Sequence, residues 1–376
     1  MIPFPKGACY QIQVNITLES TSDTQNSSSD LIQIGIVGLG FGRSILETLQ
    51  RDPARKFFSL GAVCDLNEKA AAEAARRWSV PAYTSLDALL EDPAIPVVGL
   101  FTPPAGRAAL IRRAIRAGKD VLTTKPFEVD ALESRAVLDE ARELGRVVHL
   151  NSPQPLLPPD LALIDRWRAE YDLGRVTGAR AAVWAPYHEQ ADGTWLDDPE
   201  RCPAAPLFRL GVYLFNDLDY LLGPAKELQL MTSSFRTGRR TPDIAQINLR
   251  HADGALGHIS ASFCVEDGDA YQNSLVVHFE RGTVYRNVGG LRTRFDPDAA
   301  EMTLVQRTGR GRETVAQAEV RELSGTYQWA ALAEDVRKRR PLTADYAERI
   351  VRCIDYVDAL RRAQHDGAAC LSSLPR

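Results

Sequence analysis

The sequence predicts an α/β chain in two parts, a parallel-sheet domain followed by an α+β domain on an antiparallel sheet. Three observations carry this. Short apolar runs alternate with helical patterns from Leu31 to Asn151, which is the arrangement of βαβ units. A glycine-rich turn, Gly38-Leu39-Gly40-Phe41-Gly42, closes the first of those runs and opens the first helix. After Asn151 strand patterns dominate, with tight-turn signals between them. The 376 residues accommodate two domains at about 100–200 residues each.

Leu31–Gly38 (LIQIGIVG) is an apolar run ending in glycine, as a buried parallel strand requires. Ile45, Leu46 and Leu49 then recur at helical spacing over Phe41–Leu49. Leu60–Cys64 is the second strand, and Asn67 caps an alanine-rich helix running to Trp78. Ser85 starts a short helix, and Pro96–Thr102 is the third strand. Ala105–Ala117 forms a basic-faced helix stopped by Gly118, and Val121–Thr124 is the next strand. Asp130 with Glu133 makes a capping-box start for a helix closed by Gly145, before the last strand, Val147–Asn151.

Pro159–Asp172 reads as a helix, and Ala205–Leu222 as a helical insertion. The strands are Val176–Val183, Glu227–Phe235, Ile244–Arg250, Ala255–Phe263, Ser274–Phe279, Thr283–Asn287 and Met302–Gln306. Ala252-Asp253-Gly254 and Glu280-Arg281-Gly282 are tight-turn signals, so an antiparallel meander is expected. Tyr327–Lys338 and Asp345–Ala363 are closing helices. Glu19 to Asp30 holds no apolar residue, so nothing there offsets the entropy of ordering. The expected organisation is a disordered leader over 1–30, a first domain over 31–151 and a second over 152–376.

Composition excludes several classes. The net charge is −4, from 45 Lys plus Arg against 49 Asp plus Glu, so no basic excess exists to neutralise a nucleic-acid backbone. No apolar run approaches the ~20 residues of a membrane-spanning helix. The six cysteines are scattered, without a C-x-x-C pair, and the six histidines lack metal-ligand spacing, so no metal site is expected. Such cysteine usage suits free thiols in a reducing, cytoplasmic setting.

The glycine-rich turn sits between a strand and a helix, the context of a dinucleotide-binding Rossmann fingerprint. Gly38 permits the tight turn and Gly40 lets the backbone approach a pyrophosphate, beside Phe41 at the helix N-terminus. The third fingerprint position holds Arg43, with glycine one place early at Gly42, which sets Arg43 near the phosphates. Asp65 ends the second strand, where a carboxylate accepts the adenosine ribose hydroxyls and repels a 2′-phosphate. That favours NAD, with NADP possible. It also fits a helix cap shared with Asn67. Thr102-Pro103-Pro104 and Thr124-Lys125-Pro126 fall at the carboxyl edge of the sheet, where ligands of open α/β folds bind.

Together the segments GIVGLGFGR, AVCD, GLFTPP, AGKDVLTTKPF, LGRVTGARA, GVYLFNDLDYLLG and PLTADYAERIVRCIDYVDALRRA resemble the glucose–fructose oxidoreductase / inositol dehydrogenase / MocA (Gfo/Idh/MocA) family. The resemblance runs from Leu31 to the last helix. It implies a Rossmann domain, a second domain with a large open antiparallel sheet, and oxidation or reduction of carbinol centres of sugars and cyclitols with NAD or NADP. Aligned on the family's Glu-Lys-Pro motif, Lys125 takes the role of the lysine that touches the reacting hydroxyl and the cofactor; Thr124 replaces the glutamate. Aligned on Asp-x-Gly-x-His-x-x-Asp, Tyr213 stands for the acid–base histidine, Arg209 for the first aspartate and Asn216 for the second. The resemblance further implies a homo-oligomer through the open sheet.

The expected catalytic pair is therefore Lys125 and Tyr213, the ammonium favouring the phenolate. Arg209, Asn216, Asp217 and Gln154 are the substrate-contact candidates, with His188 at the rim. Tyr213 also fits a packing position in the stripe of Leu210, Leu214, Leu218, Leu221 and Leu222, and Arg209 fits a structural salt bridge. Three altered motif positions leave room for a cofactor binder without turnover. Arg209 would also suit reduction of an imine or keto acid.

Overall fold

A computed structural model describes residues 31–267, 271–288, 299–366 and 368–370; the expected leader lies outside them. The first sheet has six parallel strands: β1 (Ile32–Val37), β2 (Phe58–Cys64), β3 (Ala82–Tyr83), β4 (Val97–Leu100), β5 (Asp120–Thr123) and β6 (Val148–Leu150). Helices α1 (Gly42–Thr48), α2 (Glu68–Trp78), α3 (Leu86–Leu90), α4 (Arg107–Arg116) and α5 (Ala131–Glu143) connect them. The order β3-β2-β1-β4-β5-β6 reverses direction between β1 and β4, and a crevice opens at such a switch point. All four residues of β4 and of β5 are buried, which is why these strands read as continuous apolar runs. The side chain of Asn67 caps α2 through the N–H groups of Lys69 and Ala70, and Asp130 caps α5 through Glu133 N–H. The sequence reading omitted β3, because two residues carry no periodicity.

The second half opens with α6 (Pro159–Glu170) and β7 (Val176–Trp184). A π-helical turn, Leu207–Gly211, runs directly into α7 (Val212–Leu222). Strands β8 (Ala225–Ser233), β9 (Ile244–His251), β10 (Leu256–Ser262), β11 (Gln272–Phe279), β12 (Gly282–Arg286), β13 (Ala299–Thr308) and β14 (Gly311–Arg321) follow, then α8 (Trp329–Lys338), α9 (Ala344–Asp366) and β15 (Ala368–Cys370). The sheet order is β14-β13-β12-β11-β7-β10-β9-β8-β15.

The expected meander needs correction. β7 lies between β10 and β11 and pairs parallel with β10, splitting the antiparallel run into two halves. Local turn signals report neighbours in sequence and say nothing of a strand inserted from far upstream. β14 was also missed; its residues are mostly exposed or half-exposed, so it carries no apolar signal.

One face of this sheet packs against α6, α7 and the second half of α9, with Trp167, Phe215 and Leu360 meeting Ala181, Leu249 and Ile259. The other face presents Arg180, Gln246, Asn248 and Arg250 and is uncovered. The closing helices return to the first domain. Trp329, Leu332 and Val336 of α8 join Ile34, Phe58 and Val97, while Tyr346, Ile350 and Ile354 of α9 join Ile111 and Leu138. Both helices are read from sequence as part of the second domain; α8 packs on the first sheet's core, and α9 packs on both.

Candidate active site at the junction of the two sheets

A cavity of about 980 Å³ runs from the β1–β4 crevice to the inner face of the second sheet. Its first end is made mostly of backbone. Gly38 has φ +84°, and a Cβ there would stand 2.9 Å from the Phe101 carbonyl oxygen. Gly40 faces open space within the cavity lining, so a ligand can meet bare backbone there. Asp65 accepts Leu39 N–H on Oδ2 at 2.7 Å and Asn67 N–H on Oδ1 at 2.8 Å. Each oxygen keeps a lone pair for a hydroxyl. The buried Thr102 Oγ1 has no partner and belongs to the cavity lining. An open glycine, a carboxylate with spare acceptor capacity and an orphaned hydroxyl at successive strand ends fit a dinucleotide.

Lys125 follows β5. Its Nζ donates to the Arg209 carbonyl oxygen and lies 4.4 Å from the centroid of the Tyr213 ring. Burial pushes its ammonium down to about 7, and the Arg209 guanidinium adds to that shift. The fully buried Arg107 shapes this corner, donating to the carbonyl oxygens of Thr102, Thr124, Pro126 and Phe127. Its guanidinium ties the ends of β4 and β5 together beneath Lys125.

Tyr213 sits at the start of α7, where the π-helical turn brings it under the lysine. Burial raises its phenol well above 10. The expected phenolate is corrected by this. The ammonium lies over the ring face rather than at the oxygen, and the loss of water outweighs it. Gly325, at φ +99°, passes so close that a Cβ would meet the Tyr213 ring at 2.8 Å. Both the backbone angle and the contact require glycine there.

Beyond this pair the lining is aromatic, with Tyr187, Trp195, Phe208 and Tyr271. Arg209 and Arg286 also border it, and both are neutralised by carboxylates. Arg209 is held by both Glu189 oxygens, at 2.6 and 2.7 Å, and stacks on Tyr187 and Phe263. Arg286 is 3% exposed and bridges Asp160 at 2.6 Å and Asp217 at 2.7 Å. Burial raises the Asp217 carboxyl, against the pull of Arg286.

Gly38, Gly40, Phe41, Asp65, Thr102, Pro103, Pro104, Lys125, Arg209 and Tyr213 all line the one cavity. Gly42 instead packs against Ile36, while Arg43 is exposed and outside the lining. Three substrate candidates also fall outside it. Gln154 is tied to Leu323, Gly325 and Thr326; Asn216 donates to Ser152 Oγ at 2.7 Å; and Asp217 receives Arg286 and Ser324. Helical spacing alone did not tell inward from cavity-facing. His188 is exposed and pairs with Glu266.

Arg107, Asn151, Asp160, Glu189 and Arg286 were not singled out. For two of them a signal existed. Arg107 shares a helix face with Ile111 and Ala114, and Arg286 shares strand parity with the buried Val284, so each is a charge on an apolar face.

The fold and the cavity define a class, an oxidoreductase site with a dinucleotide-binding Rossmann domain beside an ammonium and a phenol. Residues 32–152 match the family model for the GFO/IDH/MocA oxidoreductase family, NAD-binding Rossmann fold, and residues 162–285 match the GFO/IDH/MocA C-terminal domain. The chain belongs to this family and is an oxidoreductase with an NAD-binding domain.

Levoglucosan dehydrogenase of Pseudarthrobacter phenanthrenivorans is 30% identical over 146 residues, covering 39% of this chain and only 34% of that protein. Trans-1,2-dihydrobenzene-1,2-diol dehydrogenase of Bos taurus is 27% identical over 246 residues, 62% of this chain and 68% of that one. A solved levoglucosan dehydrogenase in complex with NADH and L-sorbose superposes with a TM-score of 0.71 at 18% identity, covering 92% of this chain and 100% of that chain. At that identity the superposition speaks for the fold. No helix among the described residues is long and apolar enough to cross a membrane.

Proposed function

We propose that this protein is an NAD-dependent dehydrogenase of an uncharged, ring-shaped alcohol of the sugar or cyclitol class. The observation that carries the reading is the enclosed Lys125 ammonium, held against Tyr213 where the Rossmann strand ends meet the second sheet. Bound NAD supplies the acceptor for the hydrogen and electron pair that leave the carbinol carbon. Lys125, as the free amine, takes the hydroxyl proton while the C=O bond forms; in reduction the ammonium returns it. An amine at about 7 serves both directions near neutrality. Tyr213, held neutral by burial, donates a hydrogen bond to the substrate oxygen.

Lys125 and Tyr213 are the catalytic residues in this reading. Gly38, Gly40, Phe41, Asp65 and Thr102 to Pro104 hold the cofactor, and Asp65 supports NAD over NADP. The aromatic walls offer the C–H faces of a ring an apolar surface. Among the described residues, Arg209 and Arg286 are committed to carboxylates, which weighs against the keto-acid alternative that rested on Arg209. Tightened NADH fluorescence on mixing, then nicotinamide absorbance with a panel of sugars, inositols, cyclic diols and keto acids, tests the reading. Turnover confined to keto acids contradicts it, and binding without any turnover supports the cofactor binder.

A further inference from the structure

Asn151 lies just past β6, 3% exposed, and takes no part in the reaction described so far. Its Oδ1 accepts the Lys125 backbone N–H at 3.2 Å and the Thr124 hydroxyl at 3.3 Å. Its Nδ2 donates to the Gly325 carbonyl at 3.1 Å and to the Tyr213 hydroxyl oxygen at 3.2 Å. A backbone N–H only donates and a backbone C=O only accepts. The amide orientation is therefore set twice over, by Lys125 at one end and by Gly325 at the other. With its NH₂ group turned to Tyr213, the phenol oxygen is obliged to accept.

Among the described residues Asn151 is the one hydrogen-bond partner of the Tyr213 hydroxyl. The phenol's own proton is left free, and Tyr213 lines the cavity. Resting on the dehydrogenase reading, we propose that Asn151 is a positioning residue that fixes Tyr213 as a hydrogen-bond donor to the substrate oxygen. It acts through Tyr213 and touches neither substrate nor cofactor. The same amide holds the backbone of Lys125, so one buried side chain sets both catalytic groups and ties them to the loop at Gly325.

Asn151→Asp tests this, since it keeps the shape and the acceptor for Lys125 N–H but replaces the donor by a carboxylate. The Tyr213 proton then turns to that carboxylate and away from the substrate. In ketone reduction kcat is expected to fall about 10- to 100-fold, with NADH affinity within about twofold. Activity recovers at low pH, once the introduced carboxyl is protonated and donates again. The decisive readout is the cycle with Tyr213→Phe. If Asn151 acts through the phenol, the double variant is no slower than Tyr213→Phe alone. Where Asn151→Asp does not fold, Asn151→Ser, which keeps a hydroxyl acceptor for the Lys125 N–H, enters the same cycle. Losses that multiply in the double variant, in an active protein, overturn the proposal and leave the dehydrogenase reading standing. A wild-type protein that binds NADH but turns over no member of the panel overturns both.

Discussion

The two ends of the cavity are built by different means. The cofactor end is backbone shaped by local rules, with Gly38, Gly40 and the Thr102-Pro103-Pro104 turn each sitting where a strand of one parallel sheet stops. The substrate end is assembled from side chains that are remote in sequence. Arg286 meets Asp160 and Asp217 across 126 and 69 positions, and Tyr213 meets Asn151 across 62. Substitutions at the first end should act on cofactor affinity or on one turn. Those at the second should propagate through a buried polar network, in which an unpaired member is costly.

Five substitutions sharpen this contrast. The largest effect is expected of Lys125→Ala, at the meeting of the two ends. Turnover falls by about 10²- to 10⁴-fold in stopped-flow or steady-state assays, while NADH titration shows an unchanged Kd. Arg286→Met comes next. It leaves Asp160 and Asp217 buried without a counter-charge, and denaturant unfolding should show a loss of about 3–5 kcal/mol.

The glycines separate fold from ligand. Gly38→Ala destabilises by about 1–2 kcal/mol because φ +84° is a left-handed backbone. Gly40→Ala leaves the melting temperature in place, since its Cβ meets no protein atom, and weakens NADH by about tenfold. The smallest effect is that of Asp65→Ala, which shifts the NADPH-to-NADH preference by a few fold. Equal affinity ratios before and after remove Asp65 from cofactor choice.

The same division explains what the sequence made legible. The parallel sheet, its helix caps at Asn67 and Asp130, and the cofactor loops follow from periodicity and turn chemistry over a few residues. Lys125 and Tyr213 came from motif resemblance, and the cavity brings them together. The protonation of Tyr213 was not legible, because it depends on burial under Lys125 and Gly325 rather than on neighbours in the chain. Nor was the fate of Gln154, Asn216 and Asp217, whose partners lie in the loop at 323–326, at Ser152 and in β12. Each is satisfied by a partner remote in the chain, a pairing that no single segment encodes. The place of β7 in the second sheet was hidden for the same reason.

The central claim is that an enclosed Lys125 exchanges the substrate's proton, and the pH dependence of kcat/KM tests it most directly. Alcohol oxidation requires the free amine, so its rate should rise as pH climbs through about 7. Ketone reduction requires the ammonium and should fall over the same interval. Lys125→Ala should retain a trace of activity from which this limb is gone. A limb near pH 7 that persists unchanged in Lys125→Ala would contradict the account and assign the proton to another group.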